Sequence, residues 1–139
     1  MNIEFKKAVE KKKILKFAQG KRLVKKELRE AEDDLTEALN RFKSRKYKYA
    51  TVTGYYSMFH SARALMYSKG YREKSHYYLL VALNSLFVNA GLLSEGIASG
   101  FHDGQFIVIG GWVSLDMTYE RESCKKFGPI SPFQQVLIL

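Results

Sequence analysis

One apolar stripe between residues 22 and 44 constrains the fold of this chain more than any other feature. Apolar side chains recur there at alternating spacings of four and three residues, which places them on one face of an α-helix. The members of this stripe are Val24, Leu28, Ala31, Leu35, Ala38 and Phe42. Because the other positions carry charges of both signs, the segment predicts an amphipathic helix that packs by one face.

A second helix is predicted over residues 47–69, and its contact face is narrow. Small side chains recur along it at helical spacing: Ala50, Gly54, Ser57, Ser61, Ala64 and Ser68. Such a stripe lets another helix approach closely, and either packing within the chain or a homodimer would use it. Lys69-Gly70 predicts the end of the helix, because glycine readily adopts the positive φ of a helix C-terminus.

Two further helices flank this pair. Residues 4–18 predict a short basic helix that stops at Gly20. Ser75 is a suitable N-cap for a helix that is apolar on most faces and ends near Asn89. The residues between, Gly70 to His76, are expected to form a loop. With 139 residues, of which 46% are hydrophobic, the chain predicts a single domain over residues 1–139.

The character of the chain changes after Gly91. Residues 96–139 contain six of the ten glycines and both prolines. The stretch FIVIGGWVSL, residues 106–115, predicts a short hairpin around its two glycines, with a distorted helix as the alternative. This Gly-rich C-terminal tail is atypical beside the helical part of the chain.

Several classes of protein are excluded by simple counts. A single cysteine, Cys124, rules out an intramolecular disulfide framework and a multi-cysteine metal site. No run of 18 apolar residues occurs, so no membrane-spanning helix is expected. The basic N-terminus lacks the apolar stretch of a secretory signal, which predicts a cytoplasmic protein. No Gly-rich phosphate loop or zinc-protease spacing is present, and no cofactor is predicted.

Positive charge is concentrated in the first third of the chain. Residues 1–50 hold 16 Lys and Arg against 8 Asp and Glu, whereas residues 51–139 hold 7 against 6. This asymmetry predicts an anionic partner such as nucleic acid, with a merely solvated helix face as the alternative.

Aromatic and cationic side chains alternate most densely in residues 47–80, which contain eight of the nine tyrosines. Such a pattern suits stacking on bases and contacts to phosphate, although tyrosines with a polar tip also pack in cores. The loop predicts a nucleotide- or RNA-binding site composed of Tyr71, Arg72, Lys74 and His76. If the chain cleaves RNA, His76 or His60 would act as the acid or base, and Arg72 or Arg63 would stabilise phosphate charge.

Residues 20–93 resemble the HEPN family, the higher-eukaryote and prokaryote nucleotide-binding domains. Three pieces carry the resemblance in order and spacing, with AEDDL, GYYSMFHSARAL and KGYREKSH as their most specific parts. The resemblance is to the small archaeal and bacterial single-domain branch. It implies an all-α, antiparallel bundle of four to five helices that usually dimerises. Such modules often act beside a minimal nucleotidyltransferase in a toxin–antitoxin pair, with RNA or nucleotide as a ligand.

Many members of this family are metal-independent ribonucleases with an Arg followed four to six residues later by a His in a late helix. Here the segment 96–121 contains no Arg before Arg121, and no His follows it. The nearest similarity to the branch's own variant is the pair Asp116 and Tyr119 without the preceding Arg. Either the tail has diverged or its reading frame is disrupted after about Glu95. The resemblance therefore assigns no catalytic residue.

Overall fold

Helices account for most of the chain that the computed structural model describes, namely residues 2–96 and 98–102. In chain order the elements are α1 (Ile3–Glu10), β1 (Ile14–Lys16), α2 (Gly20–Lys43), α3 (Tyr47–Ser68), β2 (Tyr71–Glu73) and α4 (His76–Leu83). A wider π-helical turn, Asn84–Val88, continues α4, and residues 95, 96 and 98–102 are helical again. The predicted all-α class is confirmed. The predicted hairpin at residues 106–115 lies outside the described residues.

The longest helices, α2 and α3, pack closely because both present small side chains at their contact. A side chain at Gly54 of α3 would place its Cβ only 3.9 Å from the Cβ of Ala38 on α2. One turn further along, the Ser57 hydroxyl donates a hydrogen bond of 2.7 Å to the carbonyl oxygen of Ala31. The small-residue stripe of α3 is therefore used for packing within the chain.

The opposite side of α3 faces the main hydrophobic core. Side chains from α1, β1, α3, α4 and the segment that follows α4 meet there and are almost completely buried. The largest of them are Phe5, Ile14, Tyr55, Met58, Phe59, Met66, Leu79, Leu83, Phe87 and Phe101. Burial on this scale is the main favourable term that stabilises the bundle.

The predicted helix over residues 4–18 is wrong beyond Glu10. Helix α1 ends where Lys12 adopts a left-handed conformation with φ 54°. The amides of Lys12 and Lys13 then donate to the carbonyls of Val9 and Ala8, a Schellman closure. The lysines add no apolar position to continue the helix, whereas the β-branched Ile14 becomes buried once it lies in a strand.

Two glycines have roles at the ends of elements. Gly20 begins α2 and does not terminate a preceding helix, and a Cβ there would lie 3.0 Å from Phe17 and 3.1 Å from Tyr67. Gly70 has φ +76° and ends α3 as predicted. The segment that follows is not wholly a loop, because Tyr71–Glu73 forms β2 and pairs antiparallel with β1. Ser75 occupies the predicted N-cap position, although its side chain makes no capping hydrogen bond.

Candidate functional site

The β1–β2 ribbon separates the residues that the sequence predicted as one ligand site. Successive side chains of a strand point to opposite faces. Tyr71 is half-buried and packs edge-on against Phe5, with ring centroids 5.4 Å apart. Arg72 is exposed, and its guanidinium lies 5.5 Å from the centroid of the Phe17 ring. The ribbon thus places Arg72 and Lys74 on its outer face and Tyr71 on its inner face.

The outer face of the ribbon belongs to a cluster of exposed cations that we call the basic pole. Its members are Lys11, Lys12, Lys13, Lys21, Arg22, Arg72 and Lys74. The register that pairs Ile14 with Glu73 places Lys13 opposite Lys74, and the Lys74 amide donates to the Lys13 carbonyl at 3.1 Å. Glu73, the acidic residue of β2, is buried on the other face.

Several features of the basic pole disfavour folding locally. Like charges directly opposite on paired strands repel each other, as Lys13 and Lys74 do. Lys12 holds a left-handed conformation that costs a residue other than glycine about 1 kcal/mol. The first turn of α2 contains Lys21 and Arg22 but no acidic residue, which is unfavourable beside the positive end of the helix dipole. The cations therefore need an explanation other than stability.

Behind the ribbon, Arg63 of α3 is committed to an ion pair with Glu73. Its Nε and Nη2 atoms lie 2.9 Å and 2.6 Å from the same oxygen, Glu73 Oε1. The Glu73 side chain is only 3% exposed, and its Oε2 atom has no hydrogen-bond partner among the described residues. Arg63 also lies over the ring of Phe59, 4.6 Å from the centroid.

His76, at the start of α4, is held by aromatic residues of α3. Its Nδ1 lies 2.5 Å from the Tyr55 hydroxyl, and its ring stacks on Phe59 with centroids 4.5 Å apart. Burial raises the pKa of Tyr55, so the phenol remains protonated and donates to Nδ1. The ring proton of neutral His76 is then on Nε2. Burial of the ring also lowers the pKa of His76, and Arg63 acts in the same direction while Glu73 opposes it.

The lowered pKa of His76 predicts a pH-dependent stability. The unfolded chain binds this proton more tightly, with a pKa near ~6.5. Stability should therefore fall as the pH decreases through that value and level off once the pH is below the folded-state pKa. We expect His76→Gln to lack this pH-dependent part of the free energy of unfolding. Urea unfolding of the unmodified protein and the variant between pH 7.5 and pH 5 measures the difference. Identical pH profiles would contradict the assignment.

His60 joins α3 to α2 through two carboxylates. Its Nδ1 lies 2.6 Å from Glu27 Oε2, and its Nε2 lies 3.8 Å from Asp34 Oδ2. Partial burial raises the pKa of Asp34, an effect that attraction to His60 opposes. Glu27 is only 6% exposed, and the hydrogen bond with His60 Nδ1 satisfies its buried carboxylate.

Three of the predicted catalytic candidates therefore meet around Phe59. His76 and Arg63 lie against its ring, and the His60 ring is edge-on to it at 5.5 Å. The fourth, Arg72, lies apart on the outer face of the ribbon. The sequence analysis did not predict the acidic partners of His60 and Arg63. A signal for one of them exists, because Glu27 lies three residues after Val24 and four before Ala31, on the apolar stripe of α2. An acid in such a position signals a buried ion pair.

Within residues 2–96 and 98–102, no helix is long and apolar enough to cross a membrane. The same part of the chain has no group of three or more His, Cys, Asp or Glu side chains suited to bind a metal ion.

Comparisons with known proteins give two matches. The sequence model of the HEPN domain matches residues 24–102, more than half of the chain. A protein of Methanocaldococcus jannaschii named "Putative toxin MJ0605" is 34% identical over 83 residues. The alignment covers 54% of this chain and 62% of that protein, so the chain spans about three-fifths of its relative's length. No solved structure matches the chain significantly.

Proposed function

This chain belongs to the HEPN domain family, and we propose that it is a toxin-like HEPN module that binds RNA through its basic pole. The similarity to a protein named as a toxin supports the first part of the proposal. The second part rests on one observation, namely the crowding of exposed cations on and beside the outer face of the ribbon.

The basic pole disfavours folding locally unless an anion neutralises it. Lys12 occupies a backbone position that glycine would fill with less strain, and Lys13 faces Lys74 across the ribbon. A polyanion relieves the repulsion and gains free energy from the release of condensed counterions. The exposed Arg72 guanidinium, which lies over the Phe17 ring, adds a planar group on which a base can stack. Arg72 and Lys74, predicted from the sequence as ligand-binding residues, thus keep that role in the proposal.

The test compares two double variants that remove the same charge. Lys12→Gln/Lys74→Gln removes two cations of the basic pole. The matched control, Lys43→Gln/Arg45→Gln, removes two exposed cations from the far end of α2. Each pair includes one residue with a left-handed backbone, Lys12 with φ 54° and Arg45 with φ 59°.

We expect the pole variant to bind a short single-stranded RNA about tenfold more weakly, measured by fluorescence anisotropy at several salt concentrations. Its slope of log K against log salt should be shallower by about 0.7 for each lost phosphate contact. The control should retain both the affinity and the slope of the unmodified protein. Equal losses in the two variants would show a non-specific charge effect and overturn the proposal.

The proposal extends to a partner, because the resemblance implies a homodimer or a complex with a minimal nucleotidyltransferase. Mass measured by light scattering at low and high salt tests this part. A salt-resistant dimer without RNA would favour the protein-binding module, whereas a species that carries RNA and releases it at high salt favours the RNA-binding one. A free nucleotide held by Arg72 and Lys74 is the remaining alternative ligand, because the ribbon places Tyr71 on its other face.

A ribonuclease activity is the second candidate, because Arg63, His60 and His76 converge near Phe59. In its favour, the proton on Nε2 of His76 is a donor that Tyr55 does not engage. Against it, His60 and Arg63 are both occupied by buried carboxylates. Cleavage that survives in both His60→Ala and His76→Ala would remove these residues from consideration.

A further inference from the structure

Between α2 and α3, the imidazole of His60 lies between two carboxylates that contact its two nitrogens differently. Nδ1 is 2.6 Å from Glu27 Oε2, which is a hydrogen-bond distance, whereas Nε2 is 3.8 Å from Asp34 Oδ2 and makes no hydrogen bond to it. The Glu27 side chain is 8% exposed, but those of His60 and Asp34 are 21% and 30% exposed. Solvent and ions therefore reach this cluster from the side of Asp34.

The hydrogen bond with Glu27 determines which nitrogen of neutral His60 carries the proton. An ionised carboxylate only accepts hydrogen bonds, so Nδ1 donates and Nε2 keeps a lone pair. The nearest oxygen of Asp34 is an acceptor as well. Two acceptors placed in this way repel each other unless a proton or a metal ion lies between them. Metal-binding imidazoles in proteins are commonly oriented by a carboxylate on their second nitrogen, as His60 is by Glu27.

The distance between His60 Nε2 and Asp34 Oδ2 suits a zinc ion. Zinc binds imidazole nitrogen and carboxylate oxygen at about 2.0–2.2 Å, so two ligand atoms of a tetrahedral ion lie about 3.4 Å apart. The observed 3.8 Å exceeds this separation by about 0.4 Å, which a small rotation of the half-buried Asp34 side chain removes. Mg²⁺ fits less well, because it prefers oxygen ligands in a regular octahedron.

The charges around Asp34 also favour a cation. Glu30 and Asp33 lie close enough to repel the Asp34 carboxylate. Both are exposed, and within residues 2–96 and 98–102 neither forms an ion pair with a lysine or an arginine. The chain as a whole carries a net charge of +9, so its overall field repels cations. Cation binding at Asp34 would therefore be a property of this local cluster.

We infer that His60 Nε2 and Asp34 bind a Zn²⁺ ion that bridges α2 and α3, with Glu27 as the positioning residue that orients the imidazole. The described part of the chain contains no set of three His, Cys, Asp or Glu side chains arranged for a metal ion, so water completes the coordination. A site with water ligands is open, and its ion is exchangeable. The inference does not rest on RNA binding at the basic pole.

The experiment titrates Zn²⁺ into the full chain carrying Cys124→Ser, because the single thiol of the chain would compete for the ion. We expect saturable binding of one Zn²⁺ in the micromolar range, with a shift of the His60 Nε2 resonance followed by NMR of the ring nitrogens. Zn²⁺ should also raise the midpoint of thermal unfolding, because the folded chain binds it more tightly than the unfolded chain does. Mg²⁺ should produce neither effect.

Three variants in the same background identify the ligands. Asp34→Asn should weaken Zn²⁺ binding about tenfold or more and abolish the rise in the midpoint. Its matched control, Asp33→Asn, removes the same charge from the adjacent exposed residue and should change the affinity less than about threefold. Glu27→Gln still accepts a hydrogen bond from Nδ1 but lowers the basicity of the ring, so it should weaken binding about tenfold.

Three results would overturn the inference. One is the absence of saturable binding at millimolar Zn²⁺. Another is an equal loss of affinity in Asp33→Asn and Asp34→Asn, which would show general attraction to the acidic residues of α2. The third is Zn²⁺ binding that leaves the His60 Nε2 resonance unchanged, which would place the ion elsewhere. Because none of these variants alters the basic pole, failure of the RNA proposal is distinguishable from failure of this one.

Discussion

Replacing His60 by alanine is expected to lower the free energy of unfolding by about 1–3 kcal/mol. The reason lies on the neighbouring helix. Glu27 is 6% exposed, and its Oε2 atom lies 2.6 Å from His60 Nδ1. Without the imidazole, the buried carboxylate loses its hydrogen-bond partner and is left unsatisfied. Urea unfolding at neutral pH measures the loss.

Two further variants make the cause identifiable. Glu27→Leu in the His60→Ala background should recover much of the lost stability, because it removes the uncompensated charge and adds apolar surface. Glu30→Ala, which removes an exposed carboxylate one turn away, should change stability by no more than about 0.5 kcal/mol. A loss below about 1 kcal/mol in His60→Ala would show that the contact with Glu27 is not stabilising.

Replacing Arg63, one turn further along α3, by alanine should cost about 3–5 kcal/mol. Glu73 is 3% exposed on its side chain, and Arg63 donates both of its short hydrogen bonds to one oxygen of that carboxylate. The second carboxylate oxygen of Glu73, Oε2, already has no hydrogen-bond partner in the described part of the chain. Arg63→Ala therefore leaves the whole carboxylate unsatisfied and also removes the cation from the ring of Phe59.

Chemical denaturation of three variants checks this explanation. Arg63→Lys keeps the charge but loses the paired donors of the guanidinium, so it should fall between the unmodified protein and Arg63→Ala. Arg63→Met/Glu73→Leu should recover most of the stability, because neither charge remains buried. If the double variant is as unstable as Arg63→Ala, packing and not the ion pair explains the loss.

The helices that could be predicted are those whose apolar residues follow the helical period. The stripe from Val24 to Phe42 predicts residues 22–44, and the structure has α2 at Gly20–Lys43. Lys69-Gly70 predicts the end of α3 because glycine alone adopts that backbone without strain. The helix predicted over residues 4–18 is wrong beyond Glu10. Ile14 lies in a strand because β2, which is distant in the sequence, pairs with it.

The sequence could predict which residues belong to the candidate site, but it could not predict how they are arranged. Arg72 and Lys74 could be identified as exposed cations because charged side chains remain in water. That Tyr71 points away from them follows from the strand conformation, which the sequence alone did not indicate. His60 and Arg63 were predicted as candidate catalytic residues, whereas in the structure each is hydrogen-bonded to a buried carboxylate. These carboxylates are 33 and 10 residues away in the chain, so the sequence did not indicate the pairs.

The amino-acid sequence by itself determined the helical class, the ends of the two long helices, the concentration of positive charge and the resemblance to the HEPN family. These properties depend on local periodicity, on backbone preferences and on composition, which are all present in short segments. Only the tertiary structure decided which small residues face Ala31 and Ala38, which acids pair with His60 and Arg63, and which cations share the ribbon. Those relations join residues distant in sequence, and burial makes their energies large.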